Sequence, residues 1–288
     1  MKALPFQIPK PTSDALIYQE DHEYVFYDKF HLHEEIQLSY IHEGEGTLIV
    51  GDTVSDYKKG DIIAIGSNLP HVFKSDVTLE TKSLMLTLFF TKDSFGEVFF
   101  DLEELSETKH FFKNINSGFK VLSHNQALKT VFLSLRDSSK LERFTSLLLI
   151  LKSLAKAKKL QLSSYSYEKE YTAVEGKRMQ DVMDYTMKHS HESISLDVIA
   201  NVANMTKNAF CKYFKKRTNK TYTQFLNELR IENACKLISN NGELTLSEIA
   251  FQCGYFNISN FNRQFKAIKS MTPSEYRIAK LGAYGNLV

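Results

Sequence analysis

The hydrophobic pattern of the chain changes character once. Up to about residue 90, short apolar runs alternate with turn residues. The runs include IQLSYIH (36–42), GTLIVG (46–51), DIIAIG (61–66) and SLMLTLFF (83–90), all rich in β-branched and aromatic side chains. They are separated by Glu43-Gly44-Glu45-Gly46, Gly51-Asp52, Lys59-Gly60-Asp61 and Ser67-Asn68-Leu69-Pro70. Short strands at such close spacing predict a small sandwich or barrel over residues 14–90. From about residue 91 the steps become helical. Leu141, Phe144, Leu148, Leu151 and Ala155 recur every three or four residues and place one apolar stripe on a helix over 141–158. That stripe faces either the barrel or a second subunit. The stretch QLSSYSYEKEYTAVE (161–175) has no strong period and reads as a linker, and residues 177–280 read as helical throughout. The expected fold is therefore a two-domain α+β chain. A small β-barrel with helices occupies 1–160, a linker 161–175, and an all-α domain 176–288.

The helical part contains a repeat. Leu196, Ile199, Ala200 and Ala203 return as Leu246, Ile249, Ala250 and Cys253, and Phe210, Phe214 and Lys215 return as Phe261, Phe265 and Lys266. Thr221 and Gln224 then match Thr272 and Glu275. The offset grows by one residue between the two apolar groups, where a turn belongs, so each copy reads as helix, short turn, helix. Ser195 and Thr245 can cap the first helix of each copy, with Glu248 completing a capping box, while Thr206 and Asn257 can cap the second. Phenylalanines four apart share one helix face and pack inward. This is the plan of two helix-turn-helix units, whose second helices can enter a major groove.

With the phenylalanines inward, helical spacing exposes Asn208, Cys211, Lys212 and Lys215 in one copy and Ser259, Asn262, Arg263 and Lys266 in the other. Asn and Arg can bond adenine and guanine edges in pairs, so Asn208, Lys212, Asn262 and Arg263 are the expected direct readers. Lys215, Lys216, Arg217, Lys220, Lys266 and Lys269 are expected at phosphates, which set register without reading sequence. Between the copies, YTQFLNELRIENACKLIS (222–239) has an apolar face at Phe225, Leu229, Ala234, Leu237 and Ile238. Thr221 caps its start and Asn240-Asn241-Gly242 stops it. Its length suits a strut that holds two reading helices about one DNA turn apart.

Charge sharpens the picture. Residues 176–288 hold 16 basic and 9 acidic side chains, and the first 175 hold 20 and 25, although the whole chain is only +2. One end alone is suited to a polyanion. A hydrophobic content of 43% and a charged content of 24% are those of a globular protein. The run Leu147 to Leu151 is far short of the ~20 residues of a membrane helix, and the opening MKALPFQIPKPTS lacks the apolar core of a secretory signal. The three cysteines, Cys211, Cys235 and Cys253, form no close pair and point to a reducing cytoplasm.

Residues 177–280 resemble the DNA-binding domain of the AraC/XylS family of bacterial transcription regulators, through FLNELRIENACKLI, LSEIAFQCGYFNISNFNRQFK and MTPSEYR. The resemblance implies that Asn208, Cys211 and Lys212, with Ser259, Asn262 and Arg263, face bases. Asn219 and Ser270 stand where the family usually has glycine after each reading helix. Asn tolerates a left-handed backbone well and Ser less so, and a different turn is expected at Ser270.

His31 and His33 share the parity of one strand face with Gln37, and His71 follows Asn68-Leu69-Pro70. Three converging imidazoles can bind zinc or another divalent transition metal. Equally, the same residues can line an organic-ligand pocket or be hydrogen-bonded core residues. The segments HLHEEIQLSYIHEGEGTLIVG and KKGDIIAIGSNLPHVF resemble the cupin-type sensor barrel that precedes AraC/XylS DNA-binding domains. Metal-binding cupins carry a glutamate where this chain has Gln37, and Glu35 has matching parity at the wrong position. The resemblance also favours a dimerisation role for the region of the 141–158 helix. The leading expectation is a transcription regulator controlled by a small-molecule effector held by His31, His33, Gln37 and His71. The alternative is a metal-dependent cupin enzyme, an oxygenase or isomerase, tethered to a DNA-binding domain. The expected partners are double-stranded DNA, the effector, a second copy of the chain and RNA polymerase, with no membrane.

Overall fold

The computed structural model describes residues 14–76, 82–123, 125–164, 173–240 and 243–285. The chain divides into residues 1–177 and residues 178–288. Residues 1–13, residues 165–172 of the expected linker, and Asn241-Gly242 of the expected helix stop lie outside the described residues.

Among its described residues the first unit has nine strands: β1 (Ile17–Glu23), β2 (Ile36–Glu43), β3 (Glu45–Val50), β4 (Thr53–Lys58), β5 (Ile62–Ile65), β6 (His71–Ser75), β7 (Ser83–Phe90), β8 (Phe119–Val121) and β9 (Lys159–Gln161). They form a six-stranded sheet in the order β1-β7-β2-β5-β8-β9 and a three-stranded sheet in the order β4-β3-β6, every pair antiparallel. Both faces of the larger sheet are covered. Ile41, Ile63, Ile65 and Met85 pack inward with Leu48, Val50, Tyr57 and Phe73 of the smaller sheet. The alternate residues Leu38, Tyr40, Ile62, Ala64, Leu86 and Leu88 pack outward. They meet α1 (Lys109–Ile115), α2 (Asn125–Ser134) and α3 (Lys140–Lys156) through Phe111, Phe132, Leu147, Ile150, Leu151 and Leu154. Two buried faces explain why SLMLTLFF and IIAI are apolar without alternation.

Three details depart from the expected layout. The two short strands β8 and β9 lie in the region read as helical and extend the larger sheet; three residues are too few to carry a period. On α3 the core face is Leu147, Ile150, Leu151, Leu154 and Ala155, while Leu141 is 71% exposed. The stripe drifts around the helix because its period is 3.6 residues. Finally, residues 161–164 belong to the barrel and not to a linker. Leu162 is in the inner core. The Ser163 hydroxyl and the Ser164 amide both donate to Asp52 Oδ1, at 3.1 and 2.9 Å.

The helical part comprises α4 (Ala173–His189), α5 (Leu196–Val202), α6 (Lys207–Thr218), α7 (Tyr222–Asn240), α8 (Leu246–Gln252), α9 (Ile258–Lys269) and α10 (Pro273–Gly285). The expected caps form: Ser195, Thr206, Thr245 and Asn257 each accept an amide of the helix that follows. The strut α7 buries more than one face. Tyr222 and Phe225 meet the first copy's Phe214 at 5.4 and 5.7 Å between ring centres. Ile231, Ala234, Cys235 and Ile238 join the core of the second copy.

The two copies turn alike. Met205 N donates to Ala200 O and Tyr255 N to Ala250 O, both at 2.9 Å. Asn204 and Gly254 take positive φ, 51° and 81°, at matching positions. Gly254 is required twice over, since a Cβ there would lie 2.8 Å from Ser190 O. The extra residue of the second copy is Phe256, which follows the shared turn and precedes the cap Asn257. Asn219 and Ser270 both end their helices in the left-handed region, φ 56° and 59°, so the different turn expected at Ser270 is not found. The Ser270 amide still donates to Lys266 O at 3.0 Å, as Asn219 does to Lys215 O at 2.9 Å. Ser270→Gly should therefore stabilise the helical part by about 0.5–1 kcal/mol, and Asn219→Gly by less. Urea unfolding followed by far-ultraviolet circular dichroism will show the midpoint rise; a fall for Ser270→Gly would refute the strain.

Candidate nucleic-acid interface and barrel site

The second helix of each unit is fixed in rotation by its phenylalanines. On α6, Phe210 and Phe214 are fully buried, and so are Phe261 and Phe265 on α9. The latter pack on Tyr255 and Tyr276, with ring centres 5.4 and 5.6 Å apart. The opposite faces are open: Asn208, Lys212, Lys215 and Lys216 are exposed on α6, and Ser259, Asn262, Arg263 and Lys266 on α9. Cys211 is half-buried. Neither helix contains an acidic residue, so each outward face offers donors and positive charge without a competing carboxylate.

Three residues expected at phosphates are placed differently. Arg217 is only 6% exposed. It lies seven residues after Phe210 and three after Phe214, which puts it on the inward face of α6. Lys220 is paired with Glu228 at 2.7 Å, and Lys269 is paired with Glu232, both acids standing on α7. These two lysines brace the strut to the units on either side of it.

The sequence reading missed two features of the second unit. Arg263 Nη2 donates to Asn260 Oδ1 at 2.9 Å, so Asn260 aims the guanidinium. Phe251 and Phe256 are 63% and 69% exposed and touch edge to face, ring centres 5.8 Å apart. The shift in repeat offset was the available signal for Phe256.

In the barrel, His31, His33, Gln37 and His71 do converge. His33 and His71 are buried and His31 stands at the rim, edge-on to Tyr27 with ring centres 4.9 Å apart. One ring nitrogen from each histidine lies within 4.8 Å of the others. The Nδ1 atoms donate to backbone carbonyls: His31 to Lys29 at 2.7 Å, His33 to Glu35 at 2.8 Å and His71 to Leu69 at 2.8 Å. Gln37 Oε1 lies 3.2 Å from His33 Nε2 and 3.1 Å from His71 Nε2. Gln37 Nε2 donates to Ser39 Oγ at 2.9 Å, and Ser39 Oγ meets Thr87 Oγ1 at 2.9 Å. Burial lowers all three imidazoles, His31 to about 4 and His71 well below its usual range. They are neutral near pH 7, which is the form that ligates metal. Glu35 is not among the converging atoms: its Oε2 lies 3.9 Å from His33 Nδ1, on the far side of the ring. Gln19, Asp21, Phe73, Met85 and Phe89 complete a cavity of about 70 Å³. The buried triad could hold a metal ion.

Comparison with known proteins adds three findings. The family described as helix-turn-helix domain matches residues 199–279, and the family described as cupin domain matches residues 26–86. An uncharacterized HTH-type transcriptional regulator of Bacillus subtilis, YdeC, is 23% identical over 261 residues, covering 87% of this chain and 86% of that protein. An uncharacterized HTH-type transcriptional regulator of Staphylococcus aureus is 22% identical over 84% of this chain; the chain spans 31% of that relative's length. Among solved structures, the DNA-binding domain of AdpA in complex with a target DNA is 24% identical with a TM-score of 0.33, covering 34% of this chain and 87% of that one. ToxT from Vibrio cholerae is 14% identical with a TM-score of 0.37, covering 92% and 97%. Among the described residues, no helix is long and apolar enough to cross a membrane.

The different fates of the lysines can be measured. On duplex DNA, Lys266→Ala should lower the slope of log affinity against log salt by about 0.9, the value for one lost phosphate contact. Lys269→Ala, already neutralised by Glu232, should leave that slope unchanged. Fluorescence anisotropy across a salt series reads both, and equal losses would mean that the Lys269 pair opens on DNA.

Proposed function

The chain is an AraC-type helix-turn-helix transcriptional regulator with an N-terminal cupin domain, and we propose that α6 and α9 read two successive major-groove segments of one duplex under control of a small ligand in the barrel. The observation that carries this reading is the matched pair of acid-free outward faces, set by Phe210 and Phe214 in one copy and Phe261 and Phe265 in the other. Asn208 and Asn262 suit adenine edges, and Arg263, aimed by Asn260, suits guanine. Ser259 and Lys212 stand beside them, with Cys211 contributing from a half-buried position. Lys215, Lys216 and Lys266 hold phosphates. The strut α7 has 19 residues, about 28 Å of helix, close to the ~34 Å that separates successive turns of DNA. Leu141 and Leu149 stay exposed on α3, which supports that helix as the contact between two copies.

The effector must bind one state of the protein better than the other, or it changes nothing. His31, His33, His71 and Gln37 are its contact residues. The same donor set fits a divalent transition metal, which would supply a fixed positive charge to which a small polar molecule can bind. The relatives are transcriptional regulators, and regulation rather than catalysis is the function proposed.

Mobility shift with the promoter the protein controls is the direct test, and loss of any specific shift at moderate salt would remove the reading. The helix faces have their own test. Arg263→Ala should weaken specific binding by about 1–3 kcal/mol and relax preference at one base pair, whereas Lys216→Ala should weaken matched and scrambled DNA alike. Identical behaviour of the two variants on the two DNAs would mean that the faces are misassigned.

A further inference from the structure

The second helix-turn-helix unit carries an apolar cluster that its fold does not call for. Phe251, near the end of α8, and Phe256, in the turn before α9, are 63% and 69% exposed and meet edge to face, ring centres 5.8 Å apart. Ile258, the first residue of α9, is 40% exposed. The first unit makes the same turn without any of them. It has Asn201 in the place of Phe251 and Lys207 in the place of Ile258, and no residue in the place of Phe256. The hydrogen bond across the turn is nevertheless 2.9 Å in both units. Rings left in water contribute no hydrophobic stabilisation to the fold. Exposed apolar groups gathered at one place mark a surface that meets something else.

Position identifies what this surface meets. Tyr255 turns inward onto Phe261, ring centres 5.4 Å apart, and Phe256 is left outside. Asn257 caps α9, its side-chain oxygen accepting from the Ser259 and Asn260 amides at 2.9 and 3.1 Å. Phe256 therefore stands at the N-terminal end of α9, the end that a helix-turn-helix unit brings to base edges. Ile258 is four residues before Asn262 and shares its helix face, so the apolar cluster continues into the outward face that also carries Arg263. Asn262 and Arg263 have donors for purine edges. Among the four bases, thymine alone presents an apolar group in the major groove, the methyl on C5. Amide and guanidinium groups have no means of reading a methyl, whereas a phenyl ring does, because both surfaces shed water when they meet.

We propose that Phe256 is a specificity-determining residue that packs against the 5-methyl group of a thymine at the N-terminal end of α9, with Phe251 as the positioning residue that holds its ring. The inference rests on the DNA-reading role proposed for α9 and deepens it by adding thymine to the bases that this helix distinguishes. The edge-to-face contact serves the second half. It favours one relative orientation of the two rings, and a side chain already ordered loses less freedom on binding.

Duplexes enriched from a random pool by the full-length protein supply the site for a test. Each thymine is replaced singly by deoxyuridine, which lacks the methyl, and affinity is read by fluorescence anisotropy at fixed salt. The wild type should bind about fourfold more weakly at one such position, the equivalent of one buried methylene-sized group, ~0.8 kcal/mol. Phe256→Ser should bind the parent duplex more weakly and lose nothing further with deoxyuridine there. Phe256→Leu should keep part of the methyl effect, and Phe251→Asn, which takes the residue of the first unit, should reduce it. Scrambled DNA should bind all of these proteins alike, since no charge has changed. Both side chains are exposed, and circular dichroism checks the fold of each variant. If the wild type feels no deoxyuridine, or Phe256→Ser suffers the same loss as the wild type, the inference is overturned while α9 still reads sequence. Unchanged affinity of Phe256→Ser for every duplex would assign the cluster to a protein partner and overturn it too. A protein that enriches no sequence would remove the DNA-reading role itself, and this inference with it.

Discussion

The rotation of two short helices is the constraint on which the DNA-binding reading depends. A 12-residue helix such as α6 or α9 buries little on its own, and helices of this length are marginal without tertiary contacts. Two phenylalanines one turn apart supply those contacts and set the angle at which the helix lies. Each large-to-small change at such a buried ring typically costs about 3–5 kcal/mol. That is far more than an exposed side chain usually contributes to folding, so the outward residues are not tied to the fold. The aromatic floor is shared: Tyr222 and Phe225 from the start of α7 receive one copy, while Ile231, Ala234 and Cys235 from its second half receive the other. One rigid rod therefore fixes both reading angles.

The barrel solves a different problem by similar means. Its large sheet is buried on both faces, so polar groups are tolerated only where each finds a partner. Gln37, Ser39 and Thr87 sit among apolar strands because they bond one another. The histidines sit at the same end because three backbone carbonyls orient them. Those carbonyls choose the tautomer, and the tautomer leaves the Nε2 atoms of His33 and His71 facing Gln37. The polar centre is thus a product of backbone geometry as much as of the side chains that line it.

The sequence made the repeat legible because apolar spacing survives in it even where other residues differ. The histidine cluster was legible because strand parity and one later turn bring the residues together. What escaped had physical causes. Strands β8 and β9 are three residues each and carry no period. Arg217 was assigned outward by its charge, but its helical angle is that of Phe210 and Phe214, and the angle prevailed. Sequence alone places Lys220 and Lys269 at phosphates because their acidic partners lie on α7, eight and thirty-seven residues away. The barrel's end was set too early because Ser163 and Ser164 are bound by Asp52, a contact across more than a hundred residues that local composition does not show.

The two copies of the repeat are not equivalent in chemistry, and the difference suggests a division of labour. Helix α6 presents Lys212, Lys215 and Lys216 with a single outward amide, Asn208. Lysine is a compact point charge on a flexible stem, suited to phosphate and poor at fixing a direction. Helix α9 presents Asn260, Asn262 and Arg263, groups with fixed planes that can make paired bonds to base edges. Its cap is followed by an amide–guanidinium contact that holds the arginine in place before any DNA arrives. Pre-ordered donors lose less entropy on binding and discriminate more sharply. The inserted Phe256 adds a large apolar group at the entry of α9 that the first copy lacks. Under the proposed function the first unit contributes mainly salt-dependent affinity and the second mainly sequence preference, although the fold gave both the same turn.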